Sequence, residues 1–186
     1  MSFRSDTSLN PVDLKRILAS MEILVDTREQ RTDRARRRYE SFGIPYRRAT
    51  LSYGDYTYNA MIAPDKPLFD AEQTVHPLCA VERKMDLDEL AECFTRSRDR
   101  FRAEFERAQE CGCKMHIVIE DANWENLMSG RYRSRFNEKA FLASITAWAV
   151  RYDAGIWMCK AETSGKLIKE ILYRDLKERL ERGDFG

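Results

Sequence analysis

Cys79-Ala80-Val81-Glu82-Arg83-Lys84-Met85-Asp86-Leu87-Asp88 passes from an apolar stretch into a charged one and then into a helix-like pattern. Cys79 to Lys84 reads as a strand. Leu87, Leu90, Ala91, Phe94, Phe101, Phe105 and Ala108 then recur at helical spacing, which predicts one long helix from about Asp86 to Glu110, stopped by Gly112. Strand side chains alternate faces, so Glu82 and Lys84 share one face and Arg83 takes the other. A carboxylate and an ammonium side by side at a strand end suit metal-assisted hydrolysis. The carboxylate holds a hard cation, and the lysine orients or helps to deprotonate an attacking water and neutralises phosphate charge.

Outward from this stretch, strand and helix patterns alternate. Asn10 as cap, Pro11 at the first position and the Leu14, Ile17, Leu18 stripe predict a short helix over residues 11–20. Glu22 to Asp26 reads as a buried strand, and Thr32 to Phe42 as a helix closed by Gly43 and Pro45. Pro45 to Leu51 and Tyr56 to Ile62 read as two strands joined by a turn at Ser52-Tyr53-Gly54-Asp55, a meander within the sheet. Residues 64–77 contain three prolines and read as a mobile loop. Met115 to Glu120 and Gly155 to Cys159 are further strands, and Asn137 to Tyr152 and Glu162 to Glu181 further helices. Strands separated by helices predict an α/β class with a mixed sheet. Neither a repeat nor a Gly/Ser linker divides the chain, so one domain is expected over residues 21–186, with residues 1–20 as an N-terminal helical extension.

Composition narrows the function classes. The 186 residues are 43% hydrophobic and 34% charged, enough for a buried core. Thirty-two basic against 31 acidic residues give a net charge of +1, which excludes a uniformly basic nucleic-acid coat but not a protein whose charges are sorted into patches. Basic residues gather in three places: Arg28 to Arg48, then Arg96, Arg98, Arg100 and Arg102, then Arg131, Arg133 and Arg135 around Tyr132. Arginines interleaved with an aromatic suit phosphate contact and stacking. An odd count of five cysteines argues against a disulfide framework, and Cys111-Gly112-Cys113 reads as a helix-to-strand turn. No apolar leader opens the chain, and the longest apolar stretch, Ala140 to Val150, is too short to span a bilayer. A soluble, intracellular protein is expected, in the cytoplasm or nucleoid, or in a nucleus.

Acidic residues stand at strand ends and turns: Asp26 and Glu29 in Val-Asp-Thr-Arg-Glu, Asp55 in Tyr-Gly-Asp-Tyr, Glu82, and Asp88 six residues on. Carboxylates facing each other across neighbouring strands hold Mg²⁺ with several waters left on it. This set, Asp26-Thr27-Arg28-Glu29, Gly54-Asp55 and Glu82-Arg83-Lys84-x-x-x-Asp88, resembles the nuclease motif of the XPF family, written GD-x(n)-ERK-x(3)-D with an upstream D-x-R-E. The resemblance covers roughly residues 22 to 175. It implies a restriction-endonuclease-like fold, a mixed central sheet flanked by helices, and cleavage of branched DNA (flaps, forks, four-way junctions) with Mg²⁺ or Mn²⁺ in repair or recombination.

Residue by residue, the resemblance implies that Asp26, Asp55 and Glu82 are metal ligands and that Glu29 belongs to the same cluster. It implies that Lys84 is the catalytic lysine, that Arg83 supports the site, and that Asp88 braces basic residues. Arg28, Arg96, Arg98, Arg131, Arg133 and Arg135 are the expected DNA contacts. A homodimer through the C-terminal helices and last strand is also implied. The segment between Asp55 and Glu82 is longer than the family leads one to expect, and the 64–77 loop within it is a candidate cover for the cleft. No helix-hairpin-helix module or helicase motif is recognisable. Two other readings compete: a catalytically silent nuclease-fold subunit that binds DNA beside an active enzyme, and a nuclease of this fold that acts on linear ends or nicks.

Overall fold

The computed structural model describes residues 9–184. Six strands, β1 (Glu22–Asp26), β2 (Tyr46–Ala49), β3 (Tyr56–Asn59), β6 (Cys79–Lys84), β7 (Lys114–Glu120) and β8 (Gly155–Cys159), form one sheet in the order β2-β1-β3-β6-β7-β8. A separate two-stranded ribbon joins β4 (Met61–Ala63) to β5 (Lys66–Pro67). Parallel pairing of β1 with β2, β6 with β7 and β7 with β8, and antiparallel pairing of β3 with both neighbours, make the sheet mixed, as expected.

The predicted meander is not formed. β1 lies between β2 and β3, so the two strands on either side of Ser52–Asp55 never pair. The helix between β1 and β2, α2 (Asp33–Glu40), is a crossover that returns the chain parallel to β1. The 52–55 bend then carries the chain over the end of β1 and down its other side.

Helices cover both faces. α1 (Pro11–Ala19), α2 and α7 (Ala161–Arg182) bury Ile17, Tyr39, Ile168 and Leu172 against Val25, Tyr56, Val81 and Val118. α3 (Leu87–Phe94), α4 (Arg98–Glu110), α5 (Trp124–Met128) and α6 (Glu138–Arg151) cover the other face, with Leu90, Phe105, Phe141 and Trp148 on Ala80, Ile117 and Ile119. Asn10, Thr32, Asp86, Asn123 and Asn137 cap their helices through side-chain oxygens that accept backbone N–H groups. No helix among the described residues is long and apolar enough to cross a membrane.

Three further expectations change. The single helix over 86–110 is two, broken at Thr95-Arg96-Ser97, so that α4 leaves the line of α3. The periodic apolar residues did not reveal the break, because Phe94 and Phe101 both remain in the core and meet edge to face at 5.8 Å. The short α5 was not anticipated. The 64–77 segment is anchored: Asn59 Oδ1 accepts the Phe69 N–H at 2.9 Å and Asn59 Nδ2 donates to the Phe69 carbonyl at 3.1 Å. Val75 is buried with Leu24, Ala49 and Leu51. The segment thus covers the part of the sheet face that α3–α6 leave bare, and none of its residues lines the cleft described below.

Candidate active site

Gly54 and Asp55 enter β3 beside the last turn of β6. Asp55 N–H donates to the Val81 carbonyl at 2.8 Å, and the Arg83 N–H donates to Asp55 Oδ2 at 2.7 Å. Asp55 is therefore aimed along β6 toward Glu82. This approach requires glycine at 54: φ is +72°, and a Cβ there would stand 2.8 Å from the Ala80 Cβ. We expect Gly54→Ala to lower stability by about 1–3 kcal/mol in a urea titration, since alanine is strained at that φ as well as crowded.

Glu82 and Lys84 share a face, as strand alternation requires, and Lys84 Nζ donates to Glu82 Oε1 at 2.6 Å. Glu82 is buried and Asp55 half-buried. Burial, with repulsion from Glu82 and then Glu29, raises the Asp55 pKa well above the usual carboxylate range. Burial also raises Glu82, partly offset by Lys84 and reinforced by Glu104. Burial works against the charge on Lys84, but Glu82, Cys93 and Asp55 outweigh it, and its pKa is raised. Lys84 is thus a fixed ammonium. In the metal-free fold its charge is held by Glu82, which suits neutralising and orienting phosphate.

Arg83 points the other way, into a buried ion network. Arg38 donates to Glu120 Oε1 at 2.7 Å, to Glu29 Oε1 at 3.1 Å and to the Tyr56 hydroxyl at 2.8 Å. Arg83 Nε stands 3.4 Å from Glu29, and Arg34 bonds to Glu120 and Asp121. Arg38 gets there because α7 meets α2 at Gly165, where a Cβ would lie 2.3 Å from the Arg38 carbonyl oxygen. Arg38 and Glu120 had no signal beyond their place in a basic run and at a strand end. Between the network and the Asp55–Glu82–Lys84 face lies an open cleft of about 450 Å³, closed on its far side by Arg100 and Glu104 of α4.

The remaining candidates divide. Glu29 lines the cleft but spends one oxygen on Tyr56 at 2.6 Å and Arg38. Asp26 is not brought to the cleft: Arg28 Nε and Nη2 hold its two oxygens at 2.8 and 2.9 Å, and the Leu51 N–H donates to it at 3.1 Å. It sits on the Leu24 face of β1, one strand over from Asp55, whose carbonyl accepts the Asp26 N–H at 2.8 Å. Asp88 does brace a basic residue, as Arg133 Nε donates to it at 3.0 Å and the Ser134 N–H also bonds to it. Arg28 and Arg133 are therefore committed to carboxylates. Arg96, Arg98, Arg131 and Arg135 are exposed and make no ion pair among the described residues. Tyr132 is not a free stacking platform, because its ring packs on Phe141 at 5.4 Å.

Among the described residues no three His, Cys, Asp or Glu groups converge closely enough to enclose a metal ion. Two oxygen-donor carboxylates, each held up in pKa by burial and neighbouring negative charge, still suit a hard cation that keeps most of its own water. Asp55 and Glu82 are the residues that fit.

The chain has no match among curated proteins. Solved structures that share its fold include the following two. XPF from Aeropyrum pernix matches at 21% identity and TM-score 0.56, over 83% of this chain and 61% of that one. XPF from Aeropyrum pernix in complex with DNA matches at 22% identity and TM-score 0.56, over 86% of this chain and 66% of that one. The chain thus spans less than two thirds of the length of either. A model of the ERCC4 domain matches residues 25–171, from the end of β1 into α7. With most of its length accounted for by that model, the chain belongs to the ERCC4 domain family, and it shares the fold of the two XPF structures.

Proposed function

We propose that the chain is a divalent-metal-dependent DNA endonuclease that cuts phosphodiester bonds in branched or junction-containing DNA during repair or recombination. The observation that carries this is that Asp55, aimed along β6 by the Arg83 N–H, and Glu82, bonded to the Lys84 ammonium, line one open cleft. Asp55 and Glu82 would hold Mg²⁺ or Mn²⁺, which supplies a polarised phosphoryl oxygen and an acidified water. Lys84 balances the charge that develops on the phosphate oxygens, in a site where burial strengthens that interaction. Arg83 stays on the opposite face and, through Glu29, keeps the strand end from shifting. Arg100 projects into the cleft from α4 as a phosphate contact. Arg96 and Arg98 continue that surface, and Arg131 and Arg135 extend it beyond Asp88; Arg28 and Arg133 contribute through their carboxylate pairs rather than as free cations.

β8 is the edge of the sheet, and Trp157 stands on it 40% exposed. This supports the homodimer through the last strand and α7, which light scattering at micromolar protein tests. A cleavage panel of flap, fork, four-way-junction and linear duplex DNA with Mg²⁺ or Mn²⁺ tests the function. We expect cuts near the branch point of at least one branched substrate, abolished by chelation. Tight binding without any cut would instead assign the chain to the silent DNA-binding role.

A further inference from the structure

The two backbone groups of Asp55 are held by neighbouring strands. The Asp55 N–H reaches Val81, the Asp55 carbonyl accepts from Asp26 at 2.8 Å, and Tyr53 Oη donates to the Pro77 carbonyl at 3.0 Å. The Gly54 N–H is buried and donates instead to a side chain from another layer, Glu104 Oε1 on α4, at 2.9 Å. Glu104 makes no ion pair among the described residues, although Arg100 stands one helical turn away on the same face of α4. An unpaired carboxylate beside two other carboxylates is electrostatically unfavourable, and Glu104 does add to the repulsion that raises Glu82. The compensating feature in the geometry is the bond to Gly54.

We propose that Glu104 is the positioning residue for Asp55: it clamps the Gly54–Asp55 turn onto α4 and so fixes the carboxylate of Asp55 relative to Glu82. The inference rests on the reading of this cleft as the metal-dependent nuclease site and adds a residue outside the motif to it. Since Gly54 has no side chain and takes a left-handed φ, its turn has few other restraints against rotation. Removing the acceptor leaves a buried N–H unsatisfied, and the turn relaxes toward water to satisfy it. A shift of that kind moves Asp55 directly, because the same peptide segment carries it. The clamp also links Arg100, a phosphate contact, with the metal-binding turn through one rigid helix.

Three variants separate reach from charge. Glu104→Gln keeps an acceptor oxygen at the same reach and loses the charge. Glu104→Asp keeps the charge and is one methylene too short. Glu104→Ala loses both. We expect Glu104→Asp and Glu104→Ala to speed exchange of the Gly54 amide at least about tenfold by NMR. We expect both to weaken Mn²⁺ binding by calorimetry and to lower kcat about 100-fold with KM for DNA unchanged. Glu104→Gln should behave as wild type in all three. Wild-type behaviour of Glu104→Asp overturns the proposal, as does a loss in Glu104→Gln equal to that in Glu104→Asp, since charge would then matter and reach would not. A wild type that neither binds Mn²⁺ nor cuts DNA sinks the nuclease reading instead, and the Gly54 exchange rates then decide the clamp alone.

Discussion

Glu82→Gln is expected to lower single-turnover cleavage by about 10³-fold or more, and Lys84→Ala by about 10²-fold or more, with DNA affinity little changed. Among the described residues Glu82 is the only buried carboxylate that both faces the cleft and bonds to Lys84, so the glutamine removes a cation-holding charge and the anchor of the ammonium together. Folding should tolerate the change. The amide oxygen still accepts from Lys84 Nζ, which also has Glu89 at 3.8 Å. The glutamine removes the burial cost of the Glu82 charge and also the counter-charge of Lys84, so the two effects on stability oppose each other. A chemical denaturation midpoint that collapses along with activity would show the loss to be structural and would remove the catalytic assignment.

The second large effect is on stability. Arg38→Ala or Glu120→Ala is expected to cost about 3 kcal/mol of unfolding free energy in a guanidinium titration, because each removes the shortest of the other's buried charge contacts and leaves Arg34 or Glu29 as the remaining partner. The Arg38 side chain is 2% exposed and that of Glu120 0%. By contrast, the Arg133–Asp88 pair, with Arg133 81% exposed, belongs with the exposed pairs that contribute little. Burial raises the pKa of Glu120, but hydrogen bonds led by Arg38 outweigh it, and the net shift is downward from 4.5. A depressed carboxylate contributes stability above its unfolded pKa and loses it as the pH falls through the folded value. Wild type should therefore lose stability below about pH 4.5 in a way that Glu120→Gln does not. Cleavage should fall in Arg38→Ala as well, since Glu29 and Arg83 lose the residue that fixes their side of the cleft.

Much of this was legible without coordinates. β6 and β8 fall where the apolar runs and turn residues place them, and the capping residues Asn10, Thr32 and Asn137 stand at the starts that local chemistry predicts. The shared face of Glu82 and Lys84 follows from the two-residue period of any strand. Illegible features were of another kind. The order β2-β1-β3 depends on which strands pair, and the hydrophobic pattern of a strand does not name its partner. Asp26 and Asp55 look alike as strand-end acids. Yet one meets Arg28 and a loop amide while the other lies beside β6 and Glu82, because β3 pairs directly with β6 and β1 is one strand further away.

The residues by themselves determined the α/β alternation, the helix starts and the pairing of a carboxylate with a lysine at a strand end, since each rests on spacing within a few residues. Tertiary structure alone decided which acids reach the cleft, where Arg38 finds Glu120 82 residues away, and that Glu104 meets Gly54 across 50 residues. Those contacts arise from how helices break and how strands are ordered, and these are set by burying two sheet faces at once rather than by any local stretch of chain.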